Sequence, residues 1–228
     1  MRSILLNIFS HRTMALMRWD LHFIKVRIIN SICFNKQKLT KRVKNAGNPV
    51  YLNLGSGPRG LDRKDWINID GFIDKEVHFV CDFTKRLPFA DNTFDGIFCE
   101  HVLEHFDYTH GKQMMAECNR VLKKGGIVRI IVPNGETIMR SYFEEPGKII
   151  DYKHCENKFA MEAVNTWFYQ RYEHQCIYDA AYLVNMLKSA GFSSAIKEEY
   201  QKTSNGNEAL LIDDEKYKWE SLYVEATK

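Results

Sequence analysis

Residues 50–60 read VYLNLGSGPRG: five residues of strand character, Val50 to Leu54, run directly into Gly55, Gly57 and Gly60. A short apolar strand that ends in a G-x-G-x-x-G turn places backbone close to a ligand, because a side chain at those positions would hold the ligand off. The spacing downstream narrows the choice of ligand. Only the stretch Gly57 to Asp65 separates the second glycine from the next strand, and Pro58 leaves room for hardly one helical turn. A pyrophosphate needs a full helix N-terminus aimed at it, so a dinucleotide is poorly served. Asp70, which ends that next strand, can still take the two hydroxyls of a ribose, the arrangement an adenosine without a pyrophosphate would use. The plain alternative is an ordinary strand-to-loop turn.

Outward from this segment, strand, turn and helix alternate, which predicts an α/β domain with a mostly parallel sheet. Trp66 to Ile69 is the second strand, His78 to Asp82 the third and Phe94 to Cys99 the fourth. Met114, Met115, Cys118, Val121 and Leu122 mark one face of a helix expected to end at Gly125-Gly126. Ile127 to Val132 is a β-branched run suited to burial on both faces, and Pro133-Asn134 stops it. Residues 135–176 lose this rhythm and read as an insertion over the carboxyl ends of the strands. Asp179 then caps a helix with the face Ala180, Leu183, Leu187 and Ala190, closed by Gly191. Ala195 to Tyr200 and Ser221 to Ala226 form a terminal antiparallel pair, which makes seven strands.

The 228 residues suffice for one full core, and the formal net charge of +3 hides an asymmetry. Residues 1–49 hold ten Lys or Arg against the single acid Asp20, a charge of +9, whereas the remainder carries −6. The first 30 residues read as one or two helices with Leu5, Phe9, Leu16, Trp19, Phe23 and Val26 on one face and His11, Arg18, His22 and Lys25 on another. This basic arm fits an anionic membrane surface, with packing on the body or on a second subunit as the alternative. A polar basic linker, Lys36 to Pro49, is expected to join it to the body, dividing the chain into an extension, 1–48, and a domain, 49–228. The six cysteines show no CxxC pair and no zinc-type Cys/His spacing, so no metal is expected, and their placement in buried elements suits a reducing cytoplasm. No segment has the length and apolarity of a membrane span or a signal peptide.

Taken together, LNLGSG (52–57), the strand-ending Asp70, CDFTKRLPFADNTFDGIFCEHVLEHF (81–106), RVLKKGGIVRIIVPN (120–134), YEHQCIYD (172–179), LKSAGF (187–192) and SLYVEA (221–226) resemble class I S-adenosylmethionine-dependent methyltransferases. The likeness is greatest to the type 11 group, in the branch associated with cell-surface polysaccharide biosynthesis, and runs from Val50 to the C-terminus. It implies a Rossmann-like sheet, S-adenosylmethionine as cofactor, and contacts at Gly55, Ser56, Gly57, Asp70, Asp82, Phe83 and Glu100. By position, Asp82 would accept from the adenine amino group and Phe83 would face the ring. Asn53 stands where many members have an acid, and a neutral acceptor there can still bind the ammonium of the methionine moiety.

The resemblance implies a small-molecule or saccharide acceptor, and no fixed catalytic group follows from it. Methyl transfer depends on proximity and orientation, and a base is needed only if the acceptor loses a proton. His101, His105 and His174 are the candidates, because histidine titrates near neutral pH. His174 is expected to reach the acceptor, beside Tyr169, Arg171 and Tyr172. An enzyme directed at nucleic-acid amino groups would show an Asn/Asp-Pro-Pro-aromatic motif after the fourth strand; here Cys99-Glu100-His101-Val102 stands there, and no nucleic-acid partner is expected. The competing readings are a non-catalytic cofactor-binding or scaffolding module of a glycan-assembly complex and, third, an oxidoreductase.

Overall fold

A computed structural model describes residues 11–32, 35–153, 156, 158–170 and 173–228. Leu5, Phe9, Cys33, Cys155, Arg171 and Tyr172, and the side chains of His11, Leu16, Arg18 and Trp19, lie outside the described part. The core is a seven-stranded sheet of β1 (Tyr51–Leu54), β2 (Trp66–Asp70), β3 (Phe79–Val80), β4 (Phe94–Glu100), β5 (Leu122–Pro133), β6 (Ser194–Glu198) and β7 (Ser221–Thr227), in the order β3-β2-β1-β4-β5-β7-β6. The first five strands pair in parallel, and β7 is antiparallel to both β5 and β6. The order reverses direction at β1 and β4, so the carboxyl ends of these two strands open the crevice in which a doubly wound sheet binds its ligand. Leu52, Leu54, Ile67, Ile69, Ile97, Val128, Ile130 and Val132 are buried in the main core, as strands covered on both faces require.

Two helices follow the expected amphipathic pattern. Helix α3 (Tyr108–Val121) buries Met114, Met115, Cys118 and Val121 and is capped by Asp107. Helix α7 (Ala180–Ser189) buries Leu183, Met186 and Leu187; Asp179 accepts from the Tyr182 amide at its start, and Gly191 at φ +100° follows its end. The end of α3 departs from expectation. The helix stops at Val121, and Leu122 already pairs with Phe94 in β5, while the Gly125-Gly126 pair lies inside the strand at a shift in the β4–β5 register. Gly125 has φ +76°, and a Cβ on Gly126 would stand 2.9 Å from the Lys123 carbonyl oxygen, so the glycines make a bulge in the strand instead of a helix cap. Strand β3 is also shorter than His78 to Asp82, because only Phe79 and Val80 align with Ile69 and Asp70.

The insertion is helical. Helices α4 (Gly135–Glu144), α5 (Pro146–Lys153) and α6 (Ala160–Tyr169) follow the end of β5 and share a small core of Ile138, Ile149, Ala163 and Trp167. Glu220, which accepts from the Trp167 indole N–H and pairs with Lys153 at 2.9 Å, ties this cluster to the chain entering β7.

At the N-terminus, α1 (His11–Ile32) is followed by α2 (Asn35–Ala46), a helix where a linker was expected. Leu39 and Ala46 of α2 are buried in the main core, with Val43 packed against it, so the core extends across the expected boundary at residue 48. Every third or fourth position from Leu39 to Ala46 is apolar, a periodicity masked by the five lysines and arginines between Lys36 and Lys44. Among the described residues no helix is long and apolar enough to cross a membrane.

Candidate active site

The three glycines after β1 serve different ends. Gly55 has φ +76°, and a Cβ there would lie 2.1 Å from Val102 Cγ2, so this glycine admits the loop that follows β4. Gly60 passes the turn at Glu76, whose carbonyl oxygen would be 2.9 Å from an added Cβ. Gly57, at φ +52°, is the one whose missing side chain leaves open space, with no atom of the described residues within 4 Å of a Cβ position. Beside it the Ser56 hydroxyl is buried without a hydrogen-bond partner among the described residues. Asp70 reaches across from β2, accepting from the Gly57 amide at 2.8 Å through Oδ2 and from the Phe72 amide at 2.8 Å through Oδ1. Two carboxylate oxygens have about four acceptor sites, so capacity remains for a diol. An open cradle, an orphaned hydroxyl and a carboxylate with spare acceptor sites fit the ribose and methionine portions of S-adenosylmethionine. Asn53 is buried one residue before the end of β1, in register with Asn68 of β2 and Phe98 of β4.

The other expected contact residues are drawn into protein partners. Asp82 accepts from the Thr84 amide at 3.0 Å and hydroxyl at 2.6 Å and pairs with Arg27 of α1 at 3.2 Å, while the Phe83 ring is buried in the main core. Glu100 lies at the carboxyl end of β4, where Oε1 accepts from the Asp214 amide at 3.0 Å and Oε2 pairs with Arg59 at 3.2 Å. Burial pushes its carboxyl above the usual range, against the pull of the Asp214 amide and Arg59. Arg59 also pairs with Asp214 and lies 5.4 Å over the Tyr217 ring, so it joins the glycine turn to the 214–217 segment.

Sequence reasoning missed the contribution of α1 to this region. His22 Nε2 donates to the Gly71 carbonyl at 2.8 Å, its ring lies 5.2 Å from that of Phe72, and Asn30 donates to the Val80 carbonyl at 2.8 Å. With Arg27 on Asp82, these contacts set one face of α1 along the ends of β2 and β3, where the adenosine end of the cofactor would lie. Only the spacing of His22 and Asn30, two full turns apart, could have signalled a polar docking face.

The three histidines divide. His101, at φ +52°, has both ring nitrogens engaged, Nδ1 with Glu104 Oε1 at 3.1 Å and Nε2 with Ser221 Oγ at 3.1 Å. Burial lowers its pKa, but the Glu104 carboxylate outweighs burial and the net shift is upward. His174 is buried rather than turned to an acceptor: Nδ1 donates to the Trp167 carbonyl at 2.6 Å, and burial holds its pKa below the usual value. The reason is its place under α6, whose end folds back over it. His105 is half-buried, donates to the Glu173 carbonyl at 3.2 Å, and has its ring 5.0 Å from that of His174. His105 and His174 thus come together with Glu104, while His101 stands on the far side of that carboxylate. Tyr169 is exposed. A groove of about 630 Å³ opens beyond the end of β5, between α4 and the start of α7, lined in part by Met139, Arg140, Phe143, Phe168 and Tyr182.

Residues 64–130 match the family model described as methyltransferase domain. An uncharacterised protein of Methanocaldococcus jannaschii is 32% identical over 81 residues, 32% of this chain and 35% of that protein, so the match spans about a third of this curated relative. Among solved structures, a possible histamine N-methyltransferase of Thermotoga maritima superimposes with TM-score 0.50 at 13% identity, covering 92% of this chain and 99% of that one. A 1,6-didemethyltoxoflavin N1-methyltransferase of Burkholderia thailandensis, solved with S-adenosylhomocysteine, gives TM-score 0.49 at 15% identity over 96% and 90%. Residues 64–130 are thus similar to a methyltransferase domain, and the chain around them folds as a Rossmann-like seven-stranded sheet like that of the Thermotoga maritima structure.

Proposed function

We propose that the protein transfers a methyl group from S-adenosylmethionine to a small-molecule or saccharide acceptor in the assembly of a cell-surface glycan. The observation that carries the cofactor half of this reading is the open space over Gly57, flanked by the orphaned Ser56 hydroxyl and by Asp70. Bound there, the sulfonium supplies an activated methyl group, and the protein's part is to hold and orient both reactants. Asp70 fixes the ribose while its bond to the Gly57 amide keeps the turn in shape. The groove beyond β5 supports the acceptor half: aromatic faces of Phe143, Phe168 and Tyr182 beside the charged Arg140 and Glu144 offer a sugar both an apolar face and hydroxyl partners. His101 has both ring nitrogens bonded and His174 is buried, so the half-buried His105 is the most accessible candidate base of the three.

Titration calorimetry with S-adenosylhomocysteine tests the cofactor site. Binding to the native chain is expected, and Asp70→Ala should weaken it by about 2–3 kcal/mol, the value of charge-assisted hydrogen bonds to a diol. No binding to the native protein at millimolar ligand would refute the reading, and an unchanged affinity in the variant would remove Asp70 from the site. A protein that binds the product yet turns over no glycan acceptor would be the scaffolding module instead.

The same proposal includes peripheral contact with the inner face of an anionic membrane through residues 1–30. With one face of α1 docked on the body, Met17, Leu21, Ile24, Ile28 and Ile32 form an exposed apolar stripe at helical spacing on the other, beside Lys25. Apolar side chains next to a +9 segment suit reversible adsorption to anionic lipid. Sedimentation with phosphatidylserine vesicles should carry the protein into the pellet at low salt and release much of it at high salt. Absence from the pellet at both salts would leave the stripe to a protein partner.

A further inference from the structure

We propose that Glu104, His105 and His174 bind one divalent transition-metal ion of the zinc class. One donor atom from each residue lies within 4.8 Å of the others. The tautomers point the same way. His105 and His174 each use Nδ1 to donate to a backbone carbonyl, of Glu173 and Trp167, so the hydrogen sits on Nδ1 and the Nε2 lone pair of each ring is left as the ligand. Metal-binding histidines are commonly held in this way, by a carbonyl on the nitrogen that does not face the ion. Glu104 supplies the third observation. Its side chain is 1% exposed, Oε1 is bonded to His101, and Oε2 is buried without a partner among the described residues. A buried carboxylate oxygen left unsatisfied is costly, and a cation between the three side chains would satisfy it.

Two imidazoles and one carboxylate favour zinc, cobalt, nickel or ferrous iron over calcium and magnesium, which prefer all-oxygen sites. A tetrahedral ion about 2.0–2.2 Å from each donor keeps its ligands roughly 3.4 Å apart and leaves a fourth position for water. Loading therefore draws the donors inward, a movement that the half-buried His105 side chain can make. The ion would staple the turn Leu103–His105 to the segment around His174, where the Gln175 and Cys176 amides already donate to the Glu104 carbonyl at 2.8 and 3.2 Å. Cysteine spacing could not reveal this site because no cysteine belongs to it.

The test needs neither cofactor nor acceptor, so its outcome is independent of the proposed activity. The full-length protein, stripped with a chelator, is titrated with Co²⁺, read by visible absorption, and with Zn²⁺ in competition with a chromogenic chelator. One equivalent is expected, with tetrahedral cobalt bands and a melting temperature that rises with free metal. His105→Ala and Glu104→Gln should each weaken binding by more than about 100-fold. His105 is only half-buried, whereas Glu104 is fully buried, so the His105 variant should retain the far-ultraviolet circular dichroism of the native chain even if Glu104→Gln does not fold. Binding no tighter than millimolar in the native protein, or tight binding that survives His105→Ala, would overturn the proposal.

Discussion

Arg129→Ala should destabilise the protein by about 3–5 kcal/mol, the usual cost of removing one partner from a fully buried ion pair. The Arg129 guanidinium lies in the middle of β5 with no solvent exposure, bidentate on Asp213 at 2.7 and 2.5 Å and on Glu225 of β7 at 2.9 Å. It also donates to the Lys202 and Glu199 carbonyls and stacks 5.4 Å from the Tyr223 ring. Alanine would leave two carboxylates buried near each other without their cation and the Lys202 carbonyl without its guanidinium donor, while the Glu199 carbonyl keeps the Lys202 amide. For a chain of this size the loss corresponds to a fall in melting temperature of about 6–20 °C. Thermal unfolding by circular dichroism measures it, and a fall under about 2 °C would show that water or rearrangement replaces the guanidinium. The effect should reach beyond stability, because Asp213 precedes Asp214, whose amide holds Glu100 beside the glycine turn.

Gly57→Val is expected to lower affinity for S-adenosylhomocysteine by at least about 100-fold while the fold survives. The branched side chain would fill the space that holds no atom within 4 Å of the Cβ position, so the penalty falls on the ligand and not on a neighbour. Because φ is +52°, the variant also carries about 1–2 kcal/mol of backbone strain, a modest drop in melting temperature. Gly55→Val offers the contrast. Its Cβ would collide with Val102 at 2.1 Å, so it should damage the fold before any ligand is added. Calorimetry on folded protein, paired with a melting curve for each variant, separates the two effects. Native affinity in Gly57→Val would move the cofactor elsewhere.

The alternation of apolar strands with amphipathic helices was sufficient to define the sheet, the caps at Asp179 and Gly191 and the terminal antiparallel pair. These signals are local: a period of two or 3.6 and a left-handed glycine depend on neighbours in sequence. The glycine turn was legible for the same reason, as was the position of Asp70 at the end of β2. What each glycine admits was not, since Val102 and Glu76 come to Gly55 and Gly60 only through the fold. The run Ile127 to Val132 read as a β-branched strand for burial on both faces, but the place of Arg129 within it could not be read, because the carboxylates that make a buried arginine tolerable are more than eighty residues away. The histidines show the same limit. Composition can nominate a residue that titrates near neutral pH, but its partners decide whether it meets solvent, a carbonyl or a carboxylate, and these were assembled from β4, α6 and the approach to α7. The basic arm posed a choice between a membrane surface and packing on the body or a second subunit, and the fold shows one face of its helix packed on the body. Helix α1 docks His22, Arg27 and Asn30 on the body and turns Leu21, Ile24, Ile28 and Ile32 outward. Amphipathic periodicity records that a helix has two faces; which of them the body takes depends on the charges and carbonyls at the ends of β2 and β3, and only the tertiary structure brings those within reach.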